Sequence, residues 1–281
     1  MQRYFVLAAV FMSILLLCSC ASNPLPRAAE SGNSAQILFL LQQGTPVDQR
    51  GGSMDETALI IASRHGNLGI ARSLFEAGAD INGKSKYGDT ALTASTYFCH
   101  PNVSEFLIDH GADVNVQNYG YGSTPLMLAT ECNDIAIAKK IISKCADINA
   151  KNKKGQTALT TASIKGNTEI AKALLDAGAS VNETWAEGEP PLYEAAQQGH
   201  DEIVKALIQK GANINYSSRH NGWTPLMIAS AEGHTSTAKI LLEAGADPNI
   251  KNFKGRTALM FTEQYKFSEI SKALIEHGAK Q

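Results

Sequence analysis

Apolar and polar positions along this chain repeat with a period of 33 to 34 residues. The phrases TALIIASRHGN, TALTTASIKGN and TPLMIASAEGH begin at Thr57, Thr157 and Thr224, and each leads to a second phrase such as LLDAGASVN, LIQKGANIN or LLEAGADPN. A fixed period of about 20 to 50 residues is the signature of an array in which each repeat packs on its neighbours. The first phrase opens at Asn23, Thr57, Thr90, Thr124, Thr157, Pro190, Thr224 and Thr257.

The spacing within one repeat predicts two short helices. The second phrase places apolar side chains one helical turn apart, as in Ile170 with Leu174 and Leu175, which predicts a helix with one apolar stripe. The first phrase carries small residues such as Ala62 and Ala162, which let neighbouring helices pack closely. A left-handed C-cap, where a side chain costs energy, is predicted at the glycines after the second helix: Gly44, Gly78, Gly111, Gly178, Gly211, Gly245 and Gly278.

Repeats three and four depart from this pattern at their turns. The glycine between the helices is replaced by Cys99 and Asn133, and the C-cap glycine of the fourth repeat is replaced by Cys145. In the last repeat, Lys266 replaces the glycine between the helices. Terminal repeats of such arrays are often atypical. Neutral variation is the simpler interpretation, and a loop reshaped to contact a partner is the alternative.

These phrases resemble the ankyrin-repeat family, whose repeat is a β-turn finger plus two helices with a T-P-L-H-x-A phrase. The resemblance covers residues 23–281 in eight repeats, although the histidine of the phrase is replaced everywhere, for example by Ile60, Met127 and Tyr193. It implies an all-α solenoid of about eight helix-turn-helix repeats with β-turn fingers. It also implies a protein-binding function that needs no cofactor and no small-molecule substrate.

The first residues have the pattern of an export signal. Arg3 precedes a continuous apolar run from Tyr4 to Leu17, which is shorter than the roughly 20 residues of a membrane-spanning helix. A short apolar run behind a basic start is typical of a secretory signal.

The end of this run resembles a bacterial lipobox. Leu17-Cys18-Ser19-Cys20 implies a signal peptide over residues 1–19, fatty acylation of Cys20 with chains such as palmitate, and a lipidated N-terminus over 20–22 before the repeat domain at 23–281. An ordinary signal with a nearby cut site is the alternative. By resemblance to Gram-negative lipoproteins, Ser22 favours the outer membrane, facing the periplasm.

Charge and candidate chemistry argue against nucleic acid and against catalysis. The chain has 25 Lys and Arg residues against 27 Asp and Glu residues, a formal charge of -2, so no basic footprint for nucleic acid exists. The mature chain contains no G-x-S-x-G, Walker, HExxH or CxxC motif and no histidines at metal-ligand spacing, so we expect neither an enzyme nor a metal site. His100, His200 and His234 follow the inter-helix turn, where a structural role is expected.

Three cysteines lie in the repeats. Cys99 and Cys132 fall near the inter-helix turns of adjacent repeats, and Cys145 lies at the other end of its repeat. Helices pack about 8–10 Å apart, whereas a disulfide needs alpha carbons within about 7 Å. This spacing favours three free, mostly buried thiols, and a Cys99–Cys132 disulfide is the alternative.

Three functional hypotheses follow from the combined signals. The leading one is a membrane-anchored protein-protein interaction module of the bacterial envelope, and the resemblance suggests an immunity protein that inhibits a secreted phospholipase-type toxin. A periplasmic stress or envelope-maintenance accessory protein is the second. A host-directed ankyrin effector is the third, and a lipid anchor argues against it.

Aromatic residues at finger and helix-end positions are the predicted partner-binding residues. The resemblance assigns partner contacts to the residues before each T-P-L-like phrase and to those ending the first helix, and aromatic side chains dominate binding hot spots. They fall in two clusters separated by a charged middle, with the cluster in repeats three and four as the expected main anchor. The predicted residues are Tyr87, Tyr97, Phe98, Tyr119, Tyr121, Trp185, Trp223, Phe253 and Tyr265.

Overall fold

The computed structural model describes residues 23–118, 120–186 and 188–280. The predicted signal peptide and Cys20 lie outside the described residues. Contacts divide the chain into two compact units, which meet in sequence between residues 119 and 120.

Within residues 23–118, the first unit contains two rows of helices and one short hairpin. The helices α1, α3 and α5 pack side by side in one row, and α2, α4 and α6 form the other. The hairpin is antiparallel, with Arg50 opposite Thr57 and Gly51 opposite Glu56. The elements are α1 (Pro24–Glu30), α2 (Ser34–Gln42), β1 (Arg50–Gly51), β2 (Glu56–Thr57), α3 (Ala58–Arg64), α4 (Leu68–Glu76), α5 (Ala91–Tyr97) and α6 (Pro101–Asp109).

The second unit repeats the same two-row arrangement. Successive first helices of the repeats contact one another, and so do successive second helices. Its helices are α7 (Pro125–Glu131), α8 (Ile135–Ser143), α9 (Ala158–Lys165), α10 (Thr168–Asp176), α11 (Pro191–Gln198), α12 (Asp201–Gln209), α13 (Pro225–Ala231), α14 (Thr235–Glu243), α15 (Ala258–Tyr265) and α16 (Ser268–Glu276). The predicted all-α class of helix-turn-helix repeats is confirmed.

The threonine that marks the repeat is the N-cap of the first helix. The hydroxyl of Thr57 accepts the Ile60 N–H at 3.3 Å, and that of Thr224 accepts the Met227 N–H at 3.2 Å. An N-cap of this kind contributes about 1 kcal/mol. The hydroxyls of Thr57, Thr90, Thr124, Thr157 and Thr224 therefore fix where five of the described first helices begin.

The predicted apolar stripe forms the core. Ile170 and Leu174 of α10 are fully buried, as are Ile70 and Leu74 of α4. Burying a side chain of this size contributes about 1.5–3 kcal/mol. Ala162 in the first helix is also fully buried, which is consistent with close packing of neighbouring first helices.

The turns adopt the predicted left-handed backbone. The C-cap glycines have φ between +79° and +93°. The substituted turns keep this conformation at Cys99, Asn133, Cys145 and Lys266, where φ lies between +52° and +63°. Because a side chain is strained there, the turn geometry is imposed by the repeat and not by the local residue.

The cysteines differ from the expectation of free, mostly buried thiols. Cys145 has a free thiol, but it is exposed, because the C-cap turn of its repeat lies at the surface. Cys99 and Cys132 are disulfide-bonded, and neither is fully buried, so the expectation of three free, mostly buried thiols is wrong for both.

Histidines after the inter-helix turn connect one repeat to the preceding one. His100 Nε2 lies 2.9 Å from the carbonyl oxygen of Arg64, and His234 Nε2 lies 2.9 Å from that of Gln197. Each ring lies over the turn glycine of the preceding repeat. A Cβ added to Gly199, for example, would lie 2.7 Å from His234 Nδ1. The predicted structural role of these histidines is confirmed.

The fourth and fifth repeats use a smaller version of this contact. Asn133 replaces the turn glycine and therefore carries a side chain. The next repeat has Asn167 in place of the histidine, and its Nδ2 donates to the Thr130 carbonyl oxygen at 2.5 Å. A shorter amide thus preserves the hydrogen bond to the main chain.

Polar side chains in the loops after the second helices form a further ladder. Asn82 Oδ1 accepts the Asp113 N–H at 2.8 Å in the first unit. In the second unit Asn149 Oδ1 accepts the Ser180 N–H at 2.8 Å. Main-chain donors that no helix satisfies are therefore satisfied by the preceding repeat.

We expect Gly199→Ala to be more destabilising than Gly211→Ala. Both glycines have positive φ, so each substitution carries about 1–2 kcal/mol of backbone strain. Only the Cβ at position 199 meets a neighbour, the His234 ring, whereas position 211 is open. Overpacking adds about 1–3 kcal/mol. Urea unfolding measures the difference, and equal losses for the two variants would contradict the ring-over-glycine contact.

Candidate protein-binding surface

The first unit exposes three of the predicted aromatic residues. Tyr87 lies in the finger before α5, Tyr97 is the last residue of α5, and Phe98 follows it. They are exposed by 40%, 54% and 48%. The rings of Tyr97 and Phe98 pack edge to face with centroids 5.0 Å apart. Helix α5 separates Tyr87 from this pair by about 10 Å along its axis.

The finger that carries Tyr87 has a well-defined backbone. The Ser85 hydroxyl accepts the N–H groups of Tyr87 and Asp89 at 3.2 and 3.1 Å. The Lys86 N–H donates to the Met54 carbonyl oxygen of the preceding finger at 2.9 Å. The Lys86 ammonium lies 5.8 Å from the centre of the Tyr87 ring. The tyrosine is therefore presented on a loop that is fixed by hydrogen bonds.

A charged cluster lies beside the hairpin of the same unit. The Arg64 guanidinium bridges Glu30 and Glu56, each at 2.9 Å, and His65 Nε2 lies 3.3 Å from Glu30. Glu30, Glu56 and Arg64 line a cleft of about 430 Å³. Burial raises the pKa of Glu56, and Arg64 partly offsets this. The cluster is internally paired, so it offers little free charge to a partner.

Two predicted residues of the second unit are strongly exposed. Tyr121 is 63% exposed, and its carbonyl oxygen accepts the Lys153 N–H of the next finger at 2.9 Å. Phe253 is 69% exposed, and its ring lies against Gly222, where a Cβ would be 2.7 Å away. Both are thus held by contacts between successive fingers.

Three other predicted residues make more contacts within the protein, and a fourth lies outside the described residues. Trp185 is half-buried, and its indole N–H donates to Glu194 at 3.0 Å. Trp223 is half-buried against Phe261, with ring centroids 4.4 Å apart. Tyr265 is half exposed and lies 6.1 Å from the Phe267 ring. Tyr119 lies outside the described residues.

A buried carboxylate network in the second unit was not predicted from the sequence. Glu189 accepts from the Tyr216 hydroxyl at 2.6 Å and from the Ser218 hydroxyl at 2.5 Å. Glu194 accepts from Trp185 and from the Glu189 N–H at 3.3 Å. The signal in the sequence was Pro190, which takes the place of the capping threonine and has no side-chain hydroxyl.

Burial raises the pKa of two groups in this network, Glu194 and Tyr216. The pKa of Glu194 lies above its ordinary value of 4.5 mainly because of burial, and the hydrogen bonds from Trp185 and Glu189 partly offset the shift. Burial, together with the hydrogen bond to Glu189, raises the pKa of Tyr216 to about 12. The finger of the sixth repeat is therefore built on acidic groups shielded from water, and the network has a structural role there.

Comparison with known proteins places the chain in a family. A family model described as ankyrin repeats (3 copies) matches residues 25–118, 82–152, 126–218, 178–252 and 211–281. The chain is 31% identical over 157 residues to human neurogenic locus notch homolog protein 1, and 30% identical over 158 residues to its Xenopus laevis counterpart. Each match covers 53% of this chain but only 6% of the relative.

The chain therefore belongs to the ankyrin-repeat family. Ankyrin repeats mediate binding to other proteins, so the chain is a protein-protein interaction module. Within the described ranges, no helix is long and apolar enough to cross a membrane. The same residues contain no group of three or more side chains that could hold a metal ion.

We expect Glu194→Gln to reduce the loss of stability as pH rises. Well below pH 4.5 the Glu194 carboxyl is protonated in the folded and the unfolded chain, so folding buries no charge. As the pH rises, the carboxyl ionises first in the unfolded chain, because burial raises its pKa in the folded chain, and the unfolded chain is thereby stabilised. The contribution of Glu194 to the free energy of unfolding of the parent chain should therefore fall as the pH rises above about 4.5. Glutamine cannot ionise but keeps an acceptor oxygen for Trp185. Urea unfolding across this range would contradict the account if both chains lost the same stability.

Proposed function

We propose that this chain is a lipid-anchored protein-binding module of the bacterial envelope. The observation that carries the proposal is the order of its parts: a lipobox-like segment ends at Cys20, and the first repeat helix begins at Pro24. One acyl chain binds a bilayer only marginally, while two or more hold stably. A triacylated Cys20 would therefore keep the repeats at the membrane.

The exposed aromatic residues of the first unit support a partner site on its finger side. By the finger side we mean the surface formed by Tyr87 in the finger and by Tyr97 and Phe98 at the end of α5. Tyr87, Tyr97 and Phe98 are large, apolar and accessible. Aromatic side chains are enriched at binding hot spots, and exposed apolar groups that cluster mark interaction sites. The Arg64 cluster of the same unit is internally paired, and Lys86 lies beside the Tyr87 ring, so we expect apolar contact and one cationic group to supply the affinity.

The specific role we favour is immunity against a secreted toxin of the phospholipase type. A toxin that attacks lipids acts at the membrane, and a tethered binding module would meet it there. The role requires a tight one-to-one complex with the toxin encoded beside this protein's gene. Cells that lack this protein and survive that toxin unharmed would exclude the role and favour an envelope-maintenance function, whose deletion phenotype needs no toxin.

We expect Cys20→Ala to abolish fatty acylation. The sulfur of Cys20 is the acceptor of the first acyl chains, so the variant should lose labelling by a palmitate analogue and leave the membrane fraction. Cys145→Ala is the matched control, since it removes an exposed thiol of the folded repeats and should be labelled like the parent. Labelling that persists in Cys20→Ala would contradict the anchor.

We expect Tyr87→Ala combined with Phe98→Ala to weaken partner binding at least about tenfold, because loss of a hot-spot side chain costs about 2 kcal/mol or more. The partner is obtained by pull-down with the tagged full chain and identified by mass spectrometry, and affinity is measured by calorimetry. Ile275→Ala, an exposed apolar residue on α16, is the control and should bind normally. Unchanged affinity of the double variant, with an unchanged helical spectrum, would place the partner elsewhere.

A further inference from the structure

Helix α2 of the first repeat is apolar on both of its faces. Ile37 and Leu40 are buried against the neighbouring helices, as in any second helix of the array. Leu38 and Phe39 point the other way and are 49% and 58% exposed. The outward face of this helix therefore carries large apolar side chains that no described part of the protein covers.

The other repeats place a charge where α2 has Leu38. Counted from the start of each second helix, Leu38 is the fifth residue, and the fifth residue is charged in all seven other repeats. Residues 31–47 of the first repeat contain no charged side chain at all. The seven charged residues are Arg72, Glu105, Lys139, Lys172, Lys205, Lys239 and Lys272. The outward face of α2 is thus a departure from a rule that the rest of the chain keeps.

The first repeat lies closest in sequence to the proposed anchor. Only residues 21–23 separate Cys20 from the start of α1 at Pro24. An extended chain spans at most about 3.6 Å per residue, so α1 begins within about 15 Å of the acylated cysteine. The helices α1 and α2 run in opposite directions from the turn at Gly32, and Leu25 and Phe39 each lie seven residues from that turn. Phe39 therefore lies at the same end of the two helices as the start of α1.

We propose that the outward face of α2, with Leu38 and Phe39, inserts into the surface of the bilayer that holds the acyl chains. The inference rests on the proposed lipid anchor at Cys20. A helix that lies in the interface buries its apolar face about 5–10 Å into the boundary between headgroups and acyl chains, and residues 31–47 bring no charge that would have to be dehydrated there. The contact gives the first repeat a second attachment, which fixes its orientation instead of leaving it on a free tether.

The test uses the acylated full chain in vesicles of phosphatidylethanolamine and phosphatidylglycerol with brominated acyl chains. Bromine quenches tryptophan only at contact depth. Phe39→Trp should add fluorescence that is quenched, above the constant background of Trp185 and Trp223. Phe98→Trp, in the same unit but on the finger side, is the matched control and should add fluorescence that is not quenched. Leu38→Lys, a residue type that five other repeats use there, should reduce the quenching of Phe39→Trp without unfolding the chain.

The possible outcomes separate the two proposals. Palmitate labelling together with an unquenched Phe39→Trp would overturn the inference about α2 and leave the anchor intact. Absence of labelling would overturn both. Cross-linking between copies through position 38 would assign the face to a second copy of this chain and also overturn the inference.

Discussion

Hydrogen bonds from one repeat to the main chain of the preceding repeat limit how the array can be built. His100 and His234 reach a carbonyl oxygen of the preceding repeat, and a glycine beneath each ring leaves the space for it. The loop ladder, in which Asn82 accepts from Asp113, adds a second point of attachment. A single intramolecular hydrogen bond contributes only about 0.5–1.5 kcal/mol to stability. The hydrogen bonds between successive repeats, together with the buried apolar stripe of the second helices, nevertheless specify one spacing between repeats. The small residues of the first helices and the turn glycines beneath the histidine rings are compatible with this spacing.

This constraint separates positions that build the array from positions that can vary. A finger residue such as Tyr87 has its backbone fixed by Ser85, while its side chain remains accessible. A change at such a position alters the surface without altering the spacing of the repeats. Side chains of this kind can therefore be used for recognition, and a large aromatic group held on a fixed loop loses little entropy on binding.

The sequence was sufficient for positions that depend on the backbone alone. The left-handed C-caps at Gly178 and Gly245 were predicted because glycine recurs there at the repeat period, and φ is positive at both. The orientation of Trp185 could not be predicted, since it depends on a hydrogen bond to the buried carboxylate of Glu194. Fingers lack a helical period, so the exposure of each aromatic residue depends on its contacts with the neighbouring finger. Pattern alone does not encode those contacts.

We propose that a partner protein binds the finger side of the first unit. Amide hydrogen exchange of the full chain, with and without its captured partner, tests it most directly. The account predicts slower exchange in the finger and helix-end segments at residues 84–89 and 96–99. Unchanged exchange there, with protection confined to the outer helices α4 and α6, would contradict the claim.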